Sequence, residues 1–485
     1  MTNPLKDMGT DRLPATAAAR QSAVQGARPD QRTTPKAYGL FLHGAPYILV
    51  FATYLALALR LFRMISQRAV NILFYDQWDF DNATLFEKHS LWEIFRWQHG
   101  PHRQGLGGVL SKLLEPSVRW NTRYEDFAIG AVILVSAVLA LYLKYRLFGA
   151  IRYSDVIIPG FFLTPAQYQT LLAATNPSHG SLPLLLIILY CLTWTLGSYP
   201  WKYLCVLVTN FLLIYTGFGI FVGFLTPPLI AVDYYCHARH QTVKYQASSA
   251  AALLVSIASM ASFFVGYKLE PAADCFSIVP ANPIRYAAFM SLMFANVVKG
   301  NSLPPLLTLL MGGLLLVAVV ICLGTALARL FRTETNSWTR SAVISLLLGY
   351  CLLFCFNTAY GRQCLGLALA WNSRYVTYVI VGFFGLYLFS LSMPAKRELL
   401  IIALCALALL SSGRMDERDW MGTMWFSNGK RAWRQCYLTR HDIGQCNALT
   451  GFQIYPGDDH GQLQRKLDFL EQNHLNLFAD PDSDH

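Results

Sequence analysis

Long apolar runs recur along this chain and constrain its fold more than any other feature. Three clear examples are LLLIILYCLTWTLG, ASSAAALLVSIASMASFFVGY and LLTLLMGGLLLVAVVICLGTALA. A helix needs about 20 apolar residues to cross the hydrocarbon core of a bilayer, and several runs reach that length. Because 54% of the residues are hydrophobic and only 14% are charged, the composition excludes an ordinary soluble globular protein. The sequence therefore predicts an all-α polytopic membrane protein.

The runs predict about eleven transmembrane helices within a membrane domain at 38–413. They lie near residues 39–62, 127–147, 154–170, 182–198, 202–217, 219–235, 247–267, 303–328, 340–359, 375–393 and 397–413. Residues 1–37 have no periodic apolar face and lack the apolar core of a signal peptide. We expect them to form a disordered cytoplasmic tail.

Lys and Arg concentrate in alternate connections between the predicted spans, which sets an expected orientation. These basic connections are 144–152, 201–202, 237–244, 329–340 and 396–397. By the positive-inside rule they are cytoplasmic, as is the N-terminus. The first loop (63–126), the loops 268–302 and 360–374, and a small C-terminal domain (414–485) are then periplasmic. Arg60, Arg63 and Arg68 oppose this orientation, because they end the first span on the periplasmic side.

The first loop is acidic where it begins and basic further on. Asp76, Asp79 and Asp81 lie within six positions, and His99, His102 and Arg103 follow. Groups that accept a proton and groups that hold a phosphate therefore share one loop outside the membrane.

Two segments predict helices that lie on the membrane surface. The apolar residues of the first follow helical spacing, with Lys112 and Glu115 off that stripe; they are Leu106, Val109, Leu110, Leu113 and Leu114. Residues 284–298 predict a similar interfacial or re-entrant helix. Both helices also fit simple packing against the spans, because amphipathicity alone carries no chemistry.

Four cysteines fall in the predicted periplasmic regions, where disulfides form. Cys436 and Cys446 flank the turn-like stretch CYLTRHDIGQC, and we favour a disulfide between them over two free thiols. Cys275 and Cys364 form a second candidate pair. The sequence contains no CxxC or HExxH metal signature.

FYDQWDF directly after the first span and the later segment GRQCLGLALAWNSRY carry a resemblance to a known family. The layout resembles the C-type (GT-C) glycosyltransferases of bacterial membranes, in which the first outer loop bears catalytic acids. Within that family, the length and the two large outer regions are similar to the O-antigen glucosyltransferases that change serotype. The resemblance implies transfer of a sugar from a polyprenyl phosphate, with undecaprenyl as the expected lipid. The acceptor would be a periplasmic glycan, lipid or protein.

The implied reaction inverts the anomeric centre and needs a general base. Asp76 is the first candidate, because it lies nearest the end of the first span, and Asp79 is the alternative. Asp76, Asp79 and Asp81 are also candidate ligands of a divalent cation such as Mg²⁺ or Mn²⁺. Capping of a helix is the structural alternative for this cluster.

Five further residues are candidates for substrate binding. Trp78 would stack on a sugar or anchor the chain at the membrane interface. His102 would donate to phosphate or act as an acid–base partner. Arg103 would contact phosphate or the acceptor, although it also fits an ion pair with Glu93 or Glu115. Arg362 and Arg374 would hold the lipid phosphate or extend toward lipid headgroups. We expect His99 to be structural. Asn176 and His179 lie in another outer turn and could help to line the cavity, although a simple turn between helices is the favoured interpretation.

Other classes of membrane protein fit the sequence less well. A lipid or solute transporter or flippase is the main alternative, but Asp155, Asp233 and Glu270 lie at span ends rather than in mid-membrane. A membrane acyltransferase usually needs a His within a span, and only His43 lies near one. The basic surplus fits cytoplasmic loops and membrane lipids, and it does not form the aromatic-interleaved stripe of a nucleic-acid-binding protein.

Overall fold

The part of the chain that the structure describes is predominantly helical. The computed structural model describes residues 36–173, 176–197, 201–269, 275–277, 282–298, 303–331, 335–393, 397–413, 415, 417–456 and 460–479. Most of the predicted tail lies outside these residues, and helix α1 already includes residues 36 and 37. Residues 46–485 form one compact unit.

Nineteen α-helices are found in the described part of the chain. The first group comprises α1 (Lys36–Arg68), α2 (Gln77–Asp81), α3 (Leu91–Arg96), α4 (Gly105–Leu114), α5 (Thr122–Phe148), α6 (Ile157–Phe162) and α7 (Tyr168–Leu172). The second comprises α8 (Ser181–Thr193), α9 (Trp201–Ile214), α10 (Ile220–Cys236), α11 (Val243–Phe264), α12 (Ile284–Val297) and α13 (Pro305–Leu330). The third comprises α14 (Thr335–Arg362), α15 (Val376–Leu391), α16 (Arg397–Ser412), α17 (Glu417–Arg440), α18 (Ile443–Thr450) and α19 (His460–Gln472).

Short turns and one hairpin complete the described structure. Strands β1 (Gln98–His99) and β2 (His102–Arg103) pair antiparallel, with His99 opposite His102. One π-helical turn covers Asn82–Phe86. Single 3₁₀ turns cover Glu115–Val118, Tyr153–Val156, Pro165–Gln167, Ala238–His240, Gln363–Leu365, Leu367–Trp371, Ser373–Tyr375 and Asn476–Phe478.

Within the described residues, seven helical segments are long and apolar enough to cross a membrane. They are Gly44–Arg68, Thr122–Phe148, Val243–Phe264, Pro305–Leu330, Ser337–Leu365, Ser373–Leu391 and Arg397–Arg440. The expectation of a helical protein with several membrane-spanning segments is therefore confirmed. Seven is fewer than the eleven predicted, partly because the predicted spans near 182–198 and 202–217 form the shorter helices α8 and α9, of 13 and 14 residues.

The predicted span at 154–170 is a series of short pieces instead of one helix. Pro165 explains the break, because its ring disfavours a helical conformation at the preceding residue and it has no N–H to donate. The Thr164 side chain accepts a hydrogen bond from Ala166 N at 3.2 Å and donates to Ser411 O at 2.7 Å. The sequence pattern showed the apolar run but not this interruption.

Successive long helices run between two ends of the molecule. At the loop-one end, the first residue of α5 is tied to the loop by a hydrogen bond from Thr122 Oγ1 to Val70 O at 3.0 Å. Lys144 lies 22 residues further along α5, or about 33 Å away at 1.5 Å per residue. There, at the far end, Lys144 Nζ meets Asp155 at 2.5 Å, and Tyr387 at the end of α15 meets the same carboxylate.

The predicted surface helix in loop one is present as α4, and its small residues face inward. Gly105, Gly107, Gly108 and Ser111 are buried, whereas Leu113 and Leu114 are more than half exposed. A Cβ added at Gly107 would lie 2.0 Å from Ser178 Oγ, so α4 and the 176–180 turn touch through this glycine. The predicted helix at 284–298 is α12, whose Phe289, Met293 and Phe294 are buried.

The C-terminal helices share one apolar core with the start of loop one. Side chains of residues 70–78, including Phe74 and Trp78, pack with Trp433, Tyr437 and Leu467. The structure joins Cys436 of α17 to Cys446 of α18, and Cys275 to Cys364, in disulfides whose Cα atoms are 5.6 and 5.9 Å apart. This core fixes the segment that leads into Asp76.

Candidate functional site

A cavity of about 610 Å³ opens at the loop-one end. Its wall comes from residues 74–76, 99–102, parts of 169–180, Phe218, parts of 362–378, and Trp425 and Phe426 of α17. Regions far apart in sequence therefore converge on this loop-one cavity. Asp76, His102, Arg362 and Arg374, four of the predicted site residues, line it together.

Asp76 enters the cavity from a strained piece of backbone. The preceding residue, Tyr75, has a φ of 54°, a left-handed conformation that is costly for an aromatic residue. A hydrogen bond from Tyr75 N to Ile454 O at 2.7 Å holds this conformation. Asp76 precedes α2, but its side chain makes no capping hydrogen bond and is 46% exposed. The capping alternative for Asp76 is therefore wrong, and its carboxylate lies where a ligand could contact it.

Two guanidinium groups accompany this carboxylate. Arg374 Nη1 lies 3.9 Å from Asp76 Oδ2, and both side chains are 46% exposed. Arg362 Nη1 donates to Tyr375 Oη at 2.8 Å. Arg374 is positioned through its backbone, because its N–H donates to Gln169 Oε1 at 3.1 Å. Two arginines beside one carboxylate leave the cavity with excess positive charge, which suits a phosphate group.

Three imidazoles form another part of the wall. The ring centroid of His179 lies 5.0 Å from that of His102 and 6.2 Å from that of His99. Burial, reinforced by the neighbouring basic groups, lowers the pKa of His102 well below its usual value and the pKa of His179 to about 3. Both rings are therefore neutral near pH 7. His179 Nε2 is buried and has no hydrogen-bond partner among the described residues.

Two of these imidazoles lie in the cavity wall against the favoured expectation. His99 was expected to be structural, and a simple turn was favoured for His179 over a place in the cavity wall, yet both line the cavity. The turn does exist, since Ser178 Oγ donates to Gln104 O and Gly217 N donates to Ser178 O at 2.8 Å. These contacts bring His179 to loop one, and the local sequence NPSHG contained no signal of that long-range approach.

The structure separates Trp78, Asp79 and Asp81 from the cavity wall. Trp78 is fully buried and stacks on Phe86 with 6.3 Å between ring centroids, so it is neither an exposed sugar platform nor an interfacial anchor here. Asp79 accepts a hydrogen bond from Tyr455 Oη at 2.9 Å. Asp81 is buried and accepts one from Thr84 Oγ1 at 2.9 Å.

The three carboxylates do not fit a shared cation. Asp76 faces the cavity, while Asp79 and Asp81 are bonded to different partners. Burial, followed by the nearby Glu115, raises the pKa of Asp81 well above its usual range, which favours the uncharged form. Among the described residues, no group of three or more His, Cys, Asp and Glu side chains is arranged to hold a metal ion. A requirement for Mg²⁺ or Mn²⁺ stays a prediction without an assigned site.

Arg103 points away from the cavity although it is adjacent to His102. Side chains alternate between the two faces of a strand, so neighbours in β2 face opposite ways. The Arg103 guanidinium donates to the backbone oxygens of Arg96, Phe263 and Val265 at 2.5, 2.8 and 2.8 Å. Carbonyls thus hold it in place of the Glu93 or Glu115 carboxylate considered from the sequence, and it lines a separate groove.

Aromatic side chains from α15 and α17 complete the cavity and were not singled out from the sequence. Trp425 is 54% exposed and lies 4.8 Å from Phe452 between ring centroids. Tyr378 Oη accepts a hydrogen bond from Gly180 N at 2.7 Å. Lys430 Nζ donates to Leu172 O and Ala173 O at 3.0 and 2.6 Å and so ties α17 to the cavity wall. The sequence of α17 contains three tryptophans, Trp420, Trp425 and Trp433, and no local signal marks Trp425 as the one that lines the cavity.

The cavity contains one accessible carboxylate, two guanidinium cations and neutral imidazoles between aromatic walls. Such a set can accept a proton and neutralise an anionic leaving group in one place. Comparison with known proteins adds no identification: no family model, no curated protein and no solved structure matches the chain.

Proposed function

We propose that this protein is a membrane glycosyltransferase that moves a sugar from a polyprenyl phosphate to a hydroxyl of a periplasmic acceptor. One observation carries the proposal. An accessible carboxylate, Asp76, shares a 610 Å³ cavity with Arg362 and Arg374 at one end of a bundle of apolar helices. A lipid-linked donor would approach from the bilayer, while its sugar entered the cavity.

In the proposed reaction Asp76 is the general base. The acceptor oxygen attacks the anomeric carbon as the bond from that carbon to the phosphate oxygen breaks, and the phosphate keeps the electron pair. The acceptor proton passes to the Asp76 carboxylate. Attack opposite the leaving group inverts the anomeric centre.

The two arginines would neutralise the lipid phosphate as it leaves. The pair of Arg374 with Asp76 is long and half exposed, and such pairs contribute little stability, so an entering phosphate can replace it. Arg362 is held by the Tyr375 hydroxyl and needs no rearrangement of its backbone. The neutral His102 and His179 can donate or accept hydrogen bonds without adding charge.

The aromatic wall supports a carbohydrate as the transferred or accepting group. Trp425 and Tyr75 are both partly exposed and both line the cavity. Aromatic faces pack against the apolar C–H surfaces of sugars. An O-antigen or another cell-envelope glycan is therefore our first candidate for the acceptor, with a lipid or a protein as alternatives.

The finer topology belongs to the same proposal. We expect eleven crossings in a GT-C-like arrangement in the bacterial inner membrane, with a cytoplasmic N-terminus and a periplasmic C-terminus. The short helices α8, α9 and α10 support this count, because they also connect the loop-one end with the far end. The basic connections at the far end support the orientation.

A transfer assay tests the proposal. The purified protein in detergent is incubated with a panel of radiolabelled polyprenyl phosphate sugars and a cell-envelope glycan acceptor. Wild type should transfer label, and Asp76→Asn should lose about 10²- to 10⁴-fold in rate at equal folded yield. Asp79→Asn is the matched control, since Asp79 contacts Tyr455 instead of the cavity.

Other results would redirect the proposal. Loss of transfer in Asp79→Asn with retention in Asp76→Asn would move the base to Asp79. No transfer from any donor, together with lipid or solute movement in proteoliposomes, would replace the transferase with a transporter or flippase.

A further inference from the structure

A second groove, of about 180 Å³, lies apart from the loop-one cavity between α3, α9 and α11. It is lined by Trp92, Arg96, Arg103, Phe211, Tyr215, Ser262 and Val265. None of these residues has a role in the proposed transfer reaction. The groove therefore needs an explanation of its own.

Arg103 is a buried cation, and no carboxylate among the described residues is paired with it. The residue is only 4% exposed, and its Nη atoms donate to backbone carbonyls. Its Nε atom is buried without a hydrogen-bond partner in the described structure. Two of the accepting carbonyls, those of Phe263 and Val265, lie at the C-terminal end of α11, where the helix dipole supplies about half a negative charge. The carbonyls therefore offset only part of the guanidinium charge.

Arg96 adds a second positive charge at the rim of the groove. Its side chain is exposed, and its own backbone oxygen accepts from Arg103, so the two residues are adjacent. The nearest acid on α3 is Glu93, whose carboxylate caps the same helix by accepting from Ser90 N at 2.7 Å and Ser90 Oγ at 2.8 Å. An anion bound between Arg96 and Arg103 would satisfy the free Nε donor and the excess charge together.

The surroundings of the groove are those of a membrane interface. Trp92 is 54% exposed and stacks on Phe95, and Phe264 and Val265 at the end of α11 are 47% and 65% exposed. Exposed Trp beside apolar helix ends is typical of the headgroup level of a bilayer. Basic pockets between membrane helices bind anionic lipid headgroups. We propose that this groove binds the phosphate of an anionic membrane phospholipid, with the acyl chains along α9 and α11.

Direct lipid binding tests the proposal without any activity assay. The full chain, purified in an uncharged detergent, is titrated with dioleoyl phosphatidylglycerol, with dioleoyl phosphatidylcholine and with inorganic phosphate, and bound adducts are counted by native mass spectrometry. We expect phosphatidylglycerol to bind most tightly. Arg96→Gln should weaken that binding roughly fivefold, the factor for one basic residue near a lipid surface. Arg465→Gln is the matched control, because it removes one exposed arginine of α19.

The test uses Arg96→Gln because Arg103 also donates hydrogen bonds to backbone carbonyls. Variants of Arg103 could therefore disturb folding. Trp92→Ala, a second change at the exposed rim, should weaken phosphatidylglycerol binding in the same direction. Equal binding of the two phospholipids, or equal losses in Arg96→Gln and Arg465→Gln, would overturn the proposal. Binding of inorganic phosphate alone, lost in Arg96→Gln, would overturn the lipid as the source of the anion. Because the readout is lipid binding, these outcomes do not depend on the transferase proposal.

Discussion

The two ends of the helical bundle use the same kinds of ionisable groups in different ways. At the far end, the side chains of Lys144 and Asp155 are completely buried and 2.5 Å apart. At the loop-one cavity, Asp76 and Arg374 are 3.9 Å apart, and each is 46% exposed. The far pair is part of the packing, whereas the cavity pair is loose enough for a ligand to replace. Pairing and burial together, more than residue type, distinguish a structural charge from an available one.

A second cluster at the far end strengthens the contrast. Lys202 Nζ and the Tyr203 hydroxyl both meet Asp233 Oδ2 at 3.0 Å. The rings of Trp194 and Trp338 lie 4.9 and 5.2 Å from the Lys202 ammonium. These buried charged groups are enclosed by partners and rings, as expected where a buried charge must be compensated.

Removing one partner of the far pair should give the largest effect. Lys144→Met leaves the buried Asp155 carboxylate without its cation, which we expect to cost about 3–5 kcal/mol of unfolding free energy. Thermal unfolding in detergent, monitored as the loss of the monodisperse peak, measures this change in unfolding free energy. Arg146→Gln, an exposed change on the same helix, should stay within about 0.5 kcal/mol. If the two variants unfolded at the same temperature, the distinction between the two ends would be wrong.

At the cavity the corresponding change should affect rate and leave stability alone. Arg374→Gln removes a cation that we propose neutralises the leaving phosphate, and we expect kcat to fall about 10²- to 10³-fold with an unchanged unfolding temperature. Arg374→Lys should recover part of the rate, because it restores the charge without the planar fork. Arg418→Gln, also exposed but outside the cavity wall, is the control. A large fall in unfolding temperature for Arg374→Gln would show that this pair is structural too.

The helical membrane character and four of the residues that line the cavity could be predicted from the sequence for one reason. Long apolar runs read directly as helices, and counting them places the loops with Asp76, Arg362 and Arg374 on one side. The sequence did not predict that the apolar run around Pro165 is broken into short pieces and does not form one continuous helix. That break depends on a local conformational restriction within a run that is otherwise apolar.

Single residues within the predicted segments were harder to assign, because distant partners decide them. Asp79 turns to Tyr455, a residue 376 positions away. Arg103 and His102 were grouped as neighbours, but strand alternation sends them to opposite faces. His179 reaches the cavity only because α4 has glycine where it meets the 176–180 turn. None of these contacts has a local sequence signature.

A smaller effect should separate the aromatic wall from the charged groups of the same cavity. Trp425→Ala removes an exposed ring that lines the cavity, and we expect KM for the acceptor to rise about 3- to 10-fold with little change in kcat. Initial rates at varied acceptor concentration measure it. Trp420→Ala removes an equally exposed ring on the same helix that is not part of the wall. Equal effects of both changes would assign the loss to α17 as a whole.

The smallest effect concerns a partly buried acid at the loop-one end that the cavity does not reach. Loss of hydration raises the pKa of Glu115 to about 7 from an ordinary 4.5, and the nearby Ser111 side chain opposes this shift. The folded chain therefore binds more protons than the unfolded chain between about pH 4.5 and 7, so its stability falls as pH rises through that window and levels off above it. Glu115→Gln keeps the uncharged shape, so its unfolding temperature should exceed that of wild type by roughly 2 °C at pH 8 and match it near pH 4. The exposed Glu417→Gln should not change the pH profile. A wild-type profile that rose from pH 4.5 to 7 would mean that Glu115 is stabilised as an anion, and burial would then not be what distinguishes structural from available charges at this end.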